Sequence, residues 1–185
     1  MSAPRLRMIA GPNGSGKSTL LAYLRSMTSI PLGHCQNPDE VEDQIRRTGQ
    51  LDLMGLGLEF ELGALRTFLR SHPLGQPAWE EGVTLSDNIL GVRPALSGGY
   101  FAAVLCDFIR RNWVATKRTF TFETVMSSPD KIDLLQLARE SGYRNYLYYI
   151  CTDSAMISLA RVAVRVAAGG HGVRREKVGS GMFDH

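Results

Sequence analysis

Residues Gly11-Pro12-Asn13-Gly14-Ser15-Gly16-Lys17-Ser18-Thr19 carry a Gly11-x4-Gly16-Lys17-Ser18 spacing close to the amino terminus. An apolar run, Leu6–Ala10, precedes them and predicts a strand. The run Leu20–Met27 follows and predicts a helix. Strand, glycine-rich loop and helix in this order make a complete Walker A motif. The glycines let backbone N–H groups turn inward around an anion, and the helix that begins there points its positive dipole end at the same place. Lys17 is spaced to reach the β- and γ-phosphates, and the Ser18 hydroxyl to ligate Mg²⁺. The nine residues Gly11, Pro12, Asn13, Gly14, Ser15, Gly16, Lys17, Ser18 and Thr19 are therefore read as a nucleoside triphosphate site.

Bulk properties narrow the remaining classes. A chain of 185 residues with 44% apolar and 21% charged residues suits one globular domain with a sizeable core. A net charge of +3 is too mild to argue for nucleic acid or a membrane surface, and a phosphate site alone explains it. Cys35, Cys106 and Cys151 are odd in number and lack CxxC spacing, which points to reduced thiols in a cytoplasmic protein. No apolar run reaches membrane-spanning length and the amino-terminal residues run straight into the first strand, so neither secretion nor anchoring is expected.

Strand-like and helix-like segments alternate along the chain, which predicts a parallel sheet flanked by helices. After a connection over Ser29–Asn37, Pro38-Asp39-Glu40 reads as a helix start and Gly49 as its stop. A second amphipathic helix is expected over Leu58–Arg70. Residues His72–Ser97 are rich in proline and glycine and contain a hairpin-like piece, Val83–Val92, turning near Asp87-Asn88. We read this stretch as a flap-like insertion in a single domain spanning 1–185; a loop that merely connects would have the same composition. Tyr100–Trp113 shows a helical stripe of Phe101, Val104, Leu105, Phe108 and Ile109 that belongs to the core. A strand over Thr119–Glu123, a helix from Ser128 to Gly142, a buried strand over Tyr146–Cys151 and a helix over Ser154–Ala168 complete the pattern.

Phosphoryl transfer needs a group that orients or deprotonates the nucleophile and positive charge on the moving phosphoryl. Asp39 follows a strand-like segment and Glu123 ends one, the positions that face the site in such folds. Asp39 also suits a plain helix-start charge, and Glu123 a structural ion pair. Arg161 and Arg165 are four residues apart on one helical face, and their planar forks suit phosphoryl oxygens. A solvated helix face would carry the same pair. His171, within Gly169-Gly170-His171-Gly172, is a weaker candidate.

The segments Phe120-Thr121-Phe122-Glu123-Thr124-Val125-Met126-Ser127, Ser128-Pro129-Asp130-Lys131-Ile132, Gly142-Tyr143-Arg144 and Arg161-Val162…Arg165-Val166…Gly169-Gly170-His171-Gly172-Val173 add a more specific signal. Together with Asn37-Pro38-Asp39-Glu40 and Tyr100-Phe101-Ala102-Ala103, they resemble the zeta-toxin-type P-loop kinases. The likeness is greatest to the bacterial subgroup labelled predicted ABC-type or zeta-toxin-like ATPases. It runs through almost the whole chain in order.

What the resemblance implies is transfer of a phosphoryl group from ATP or GTP, with Mg²⁺, to a hydroxyl of a small molecule. The favoured acceptor is a UDP-N-acetyl amino sugar, and a partner antitoxin is implied as well. Carried over by position, Asp39 is the catalytic base, Glu123 and Thr124 bind the acceptor, and Lys17, Arg161 and Arg165 act on the phosphates. Two departures stand out: Gly99 replaces a common serine, and Gly181 stands where the subgroup has an arginine. Loss of such a clamp would cost roughly 10³–10⁵ in rate by analogy with arginine fingers. A nucleotide-binding protein with little turnover is therefore the alternative. An ABC-type ATPase module is disfavoured, because Leu96-Ser97-Gly98-Gly99-Tyr100 lacks a following Walker B run.

Overall fold

The computed structural model describes residues 2–76, 78–96, 98–126 and 129–167, the side chain of residue 165 excepted. In chain order its elements are β1 (Arg5–Ala10), α1 (Lys17–Ser26), β2 (His34–Gln36), α2 (Pro38–Thr48) and β3 (Gln50–Asp52). Next come α3 (Leu62–Ser71), α4 (Ala78–Glu81), β4 (Val83–Ser86), β5 (Ile89–Val92) and α5 (Gly99–Ala115). The last are β6 (Phe120–Thr124), α6 (Asp130–Glu140), β7 (Arg144–Tyr149) and α7 (Ala155–Ala167). The chain divides into two compact units, one made of Met1–Cys35 and Lys117–His185, the other of Gln36–Thr116. The fold class is α/β, with a P-loop-like parallel sheet in the first unit.

That sheet has the order β2-β6-β1-β7, so the strand feeding the glycine-rich loop lies inside it. β1 pairs in parallel with both neighbours, Ile9 opposite Glu123 on one side and Tyr148 on the other. Residues in register point the same way, which sorts the two faces. Arg7, Ile9, Thr121 and Glu123 share the face covered by α1, where Leu21 and Leu24 pack with Ile9 and Leu32. Each such leucine contributes about 1.5–3 kcal/mol when withdrawn from water. Leu6, Met8, Phe120 and Phe122 point to the opposite face and are fully buried. α6 lies on that face, where Asn145 donates to the Leu135 carbonyl at 2.7 Å.

The connection into β2 is pinned from below. Arg7 Nη1 donates to the Pro31 carbonyl at 2.5 Å and Thr121 Oγ1 to that of Leu32 at 2.8 Å. Arg7 also lies over the Tyr146 ring, 5.1 Å from its centroid, so its buried charge is shared between a carbonyl and a π-face.

The second unit is built on α5. Phe101, Val104, Leu105, Phe108 and Ile109 are buried along it, as the helical stripe predicts, and so is Trp113. Phe108 packs edge-on against Phe60, and Trp113 Nε1 donates to the Leu56 carbonyl at 2.9 Å. Buried charges find hydrogen-bond partners: Arg111 Nε donates to Asp107 Oδ2 at 2.9 Å, and Arg110 Nε to the amide oxygen Gln36 Oε1 at 2.6 Å. A three-stranded antiparallel sheet, β3-β5-β4, completes this unit.

Several expectations hold closely. α2 runs from Pro38 to Thr48, and Gly49 ends it with φ 65°. The hairpin turns at Asp87 (φ 49°) and Asn88 (φ 61°), the left-handed pair of a type I′ turn. Others need correction. β7 is not a buried strand over Tyr146–Cys151 but an edge strand over Arg144–Tyr149, with Leu147 51% and Tyr149 48% exposed. Its aromatic run imitates a core strand, but an edge position leaves alternate residues uncovered. The connection over Ser29–Asn37 contains β2, and α3 begins at Leu62 rather than Leu58. β3 and α4 are too short to show a period and were not expected. The hairpin's strand β5 also pairs with β3, with Leu51 opposite Leu90. Ser128, the terminal glycines Gly169-Gly170, His171 and Gly181 lie outside the described residues.

No disulfide joins the three cysteines; Cys106 is buried and Cys151 exposed. Among the described residues no helix is long and apolar enough to cross a membrane.

Candidate active site

The loop between β1 and α1 is held from three sides. Gly11 N donates to the Thr124 carbonyl at 3.2 Å, which ties the loop to the end of β6. Ser15 N donates to the Pro12 carbonyl at 3.2 Å, closing the turn. At the loop's tip Gly14, with φ 82°, lies so close to α7 that a Cβ there would sit 2.4 Å from the Ser158 carbonyl. Gly16, φ 107°, caps α1 without any side-chain bond, and a Cβ on it would meet nothing within 4 Å. The side of the α1 start that a Gly16 Cβ would occupy is thus open, and a helix amino terminus is a place that anions fill.

Lys17 folds back over this loop. Its Nζ donates to the carbonyls of Gly11 and Pro12, each at 2.9 Å. Ser18 Oγ donates to Glu123 Oε2 at 2.9 Å. Glu123 is 6% exposed, a carboxylate that must be met by donors or a cation because burial strips it of water. Its place follows from register: the parallel pairing sets it beside Ile9, on the α1 face. A hydroxyl and a carboxylate oxygen side by side are hard donors of the kind Mg²⁺ accepts, with phosphate and water oxygens completing its octahedron. These two residues fit the ion.

Beyond Glu123 the chain turns sharply. Thr124 Oγ1 accepts from Met126 N at 3.0 Å, and Met126 itself is left-handed with φ 53°. A non-glycine residue held there costs of order 1 kcal/mol, a strain that clusters at functional loops. From the other side Arg161, exposed on α7, brings Nη1 to 3.5 Å from the Gly14 carbonyl. Lys17, Ser18, Glu123, Thr124 and Arg161 are thus assembled around one loop. Pro12 and Ser15 are buried in it, Asn13 is half-buried and Thr19 is exposed.

Asp39 belongs to the second unit. It lies in the first turn of α2 and is exposed, and its N–H donates to Asn37 Oδ1 at 3.0 Å. Asn37 is the N-cap and Pro38 the first helical residue, so the start of α2 is well defined. The backbone of Arg165 lies in α7; its side chain is outside the described residues. Sequence reasoning missed Thr152 and Ser158. Ser158 touches the loop tip with its backbone, and its only sequence signal is a position one helical turn before Arg161.

The chain resembles a solved protein of Chloroflexus aurantiacus J-10-fl that is provisionally named a kinase, with TM-score 0.54 and 15% sequence identity. The likeness covers 94% of this chain and 74% of that one, and at this identity it speaks for the fold. No protein-family model matches the chain, and no curated protein matches it.

Proposed function

We propose that this chain is a P-loop kinase that transfers the γ-phosphoryl group of ATP or GTP to a hydroxyl of a small molecule. The observation that carries the reading is the Ser18–Glu123 bond at 2.9 Å beside the Walker A lysine. A buried carboxylate held against the loop's own serine makes a cation site where the β- and γ-phosphates would lie. The kinase-like fold supports the same class.

In this reading Lys17 leaves the Gly11 and Pro12 carbonyls and moves to phosphate oxygens when nucleotide enters. Ser18 and Glu123 would hold Mg²⁺, which would neutralise phosphate charge; the resemblance gives Glu123 to the acceptor instead, and its bond to Ser18 is what favours the metal. The acceptor oxygen bonds to the γ-phosphorus, the bond from phosphorus to the β–γ bridging oxygen breaks, and ADP (or GDP) leaves. The acceptor's proton passes to the Asp39 carboxylate, a role that rests on the resemblance to zeta-toxin-type kinases. The same resemblance supports a UDP-N-acetyl amino sugar as acceptor, Thr124 as an acceptor contact, Arg161 and Arg165 as phosphate clamps, and an antitoxin as partner.

Incubation with Mg²⁺·ATP or Mg²⁺·GTP and a panel of nucleotide sugars, read by mass, tests the proposal. We expect one acceptor to gain a single phosphate. Asp39→Asn should lower that rate by roughly 10²–10⁴-fold, the usual worth of a general base, with nucleotide affinity little changed. A full rate in Asp39→Asn would reduce Asp39 to a helix-start charge. Tight nucleotide binding with no phosphate gained by any acceptor would instead assign a binding protein without turnover.

A further inference from the structure

Thr152 and Ser158 bracket the start of α7 and bond to each other, with Ser158 Oγ 2.8 Å from Thr152 Oγ1. The Thr152 hydroxyl places its single hydrogen on the Ser154 carbonyl, also at 2.8 Å. The hydrogen between the two hydroxyls therefore comes from Ser158. These two bonds tie the loop leaving β7 to the first turns of α7. Ser158 is 2% exposed, so its hydroxyl has no water to fall back on.

The same residue meets the phosphate loop through its backbone. The Ser158 carbonyl occupies the space a Gly14 Cβ would need, at 2.4 Å. One turn further along the helix, Arg161 reaches to 3.5 Å from the Gly14 carbonyl. Ser158 is thus where the register of α7 against the loop is set, and Arg161 moves with that register. The outer side of α7 adds little to hold it there, with Met156 73% and Val164 70% exposed. For the helix itself alanine would serve better than serine by several tenths of a kcal/mol.

We infer that the Thr152–Ser158 hydroxyl pair is a positioning pair for Arg161. It sets the rotation and axial register of α7 on the loop tip so that the guanidinium meets the terminal phosphate. The inference rests on the proposed reading of Arg161 as a phosphate clamp. A long exposed side chain has many rotamers, and a shift of about 1 Å in its root is enough to lose a productive contact. The pair's signature is therefore discrimination between ATP and ADP, because only ATP carries the phosphate that Arg161 would reach.

The test is calorimetric titration of the full chain with Mg²⁺·ATP and Mg²⁺·ADP, with thermal melts alongside. The wild type should prefer ATP, and Arg161→Ala should lose that preference. Ser158→Ala should lower the ATP-over-ADP ratio about three- to tenfold, the effect of one neutral hydrogen bond, and Thr152→Val, which also removes the bond to the Ser154 carbonyl, at least as much. The double variant should lose no more than Thr152→Val alone, because that change already removes the bond between the two hydroxyls. Thr152→Ser restores the hydroxyl and should keep the wild-type ratio. An unchanged ratio in Ser158→Ala and Thr152→Val, with Arg161→Ala still changing it, overturns the inference and leaves a plain structural bond. An unchanged ratio in Arg161→Ala, or no preference in the wild type, removes the clamp reading itself. Should Ser158→Ala fold poorly, the half-buried loop variants Thr152→Val and Thr152→Ser decide the question alone.

Discussion

At the scale of single residues, two glycines of one loop have different reasons to be glycine. Gly14 is crowded by protein, because the Ser158 carbonyl fills the place of its Cβ. Gly16 is crowded by nothing, yet has φ 107° and stands at the open end of α1. Gly16→Ala should therefore cost only the backbone strain, about 1–2 kcal/mol. Gly14→Ala adds a backbone clash to a similar strain and should cost clearly more. Nucleotide binding should fail in both, since the space above Gly16 is where the phosphates are expected. Melting temperatures with and without Mg²⁺·ATP separate the cases. Equal stability losses in the two variants would mean that α7 yields easily to the loop tip.

At the scale of elements, α2 shows how local chemistry fixes the two ends of a segment. Asn37 caps it, Pro38 opens it, Asp39 and Glu40 lie at its positive end, and Arg46 and Arg47 close it before Gly49. Val41 and Ile45 are the buried stripe. Asn37→Ala removes the bond to the Asp39 N–H and should cost about 1 kcal/mol of stability. Because Asp39 is held by that cap, transfer should fall further than the loss of folded protein explains, while nucleotide affinity stays. Denaturant melts beside steady-state rates would show it; a rate that tracks folded fraction alone would detach the cap from the chemistry. β7 is the contrasting element. Its Tyr-Leu-Tyr-Tyr run reads as interior, but position at the sheet's edge decides its exposure.

For the molecule as a whole, pH reaches stability through His34 in β2. Burial chiefly, and then the positive charge of Arg118, lower its pKa below the ordinary 6.5. The folded state thus binds a proton less readily than the unfolded chain. The associated stability is present above 6.5 and is lost as pH falls from there through the folded value. His34→Gln should melt at temperatures that decline less than the wild type's between pH 7 and pH 5. Parallel declines in the two proteins would show that other groups carry the acid sensitivity. Tyr143 acts at the other extreme: burial raises its phenol to about 12, and its hydroxyl donates to the Arg118 carbonyl at 2.7 Å.

How much of this was legible in the chain depends on the range of the forces involved. The turn of the glycine-rich loop, the α2 boundaries, the hairpin turn and the α5 stripe are set by contacts within a few residues, and the sequence alone determined them. A glycine that must turn left, an asparagine that caps, and a 3.6-residue stripe all act locally. The Ser18–Glu123 bond spans 105 residues and depends on which strands are neighbours. So do the exposure of β7 and the approach of Ser158 to Gly14. None of these has a local period or a turn residue to announce it. Sheet order and helix register are decided when distant segments bury their apolar faces together, and only the tertiary structure contains that outcome.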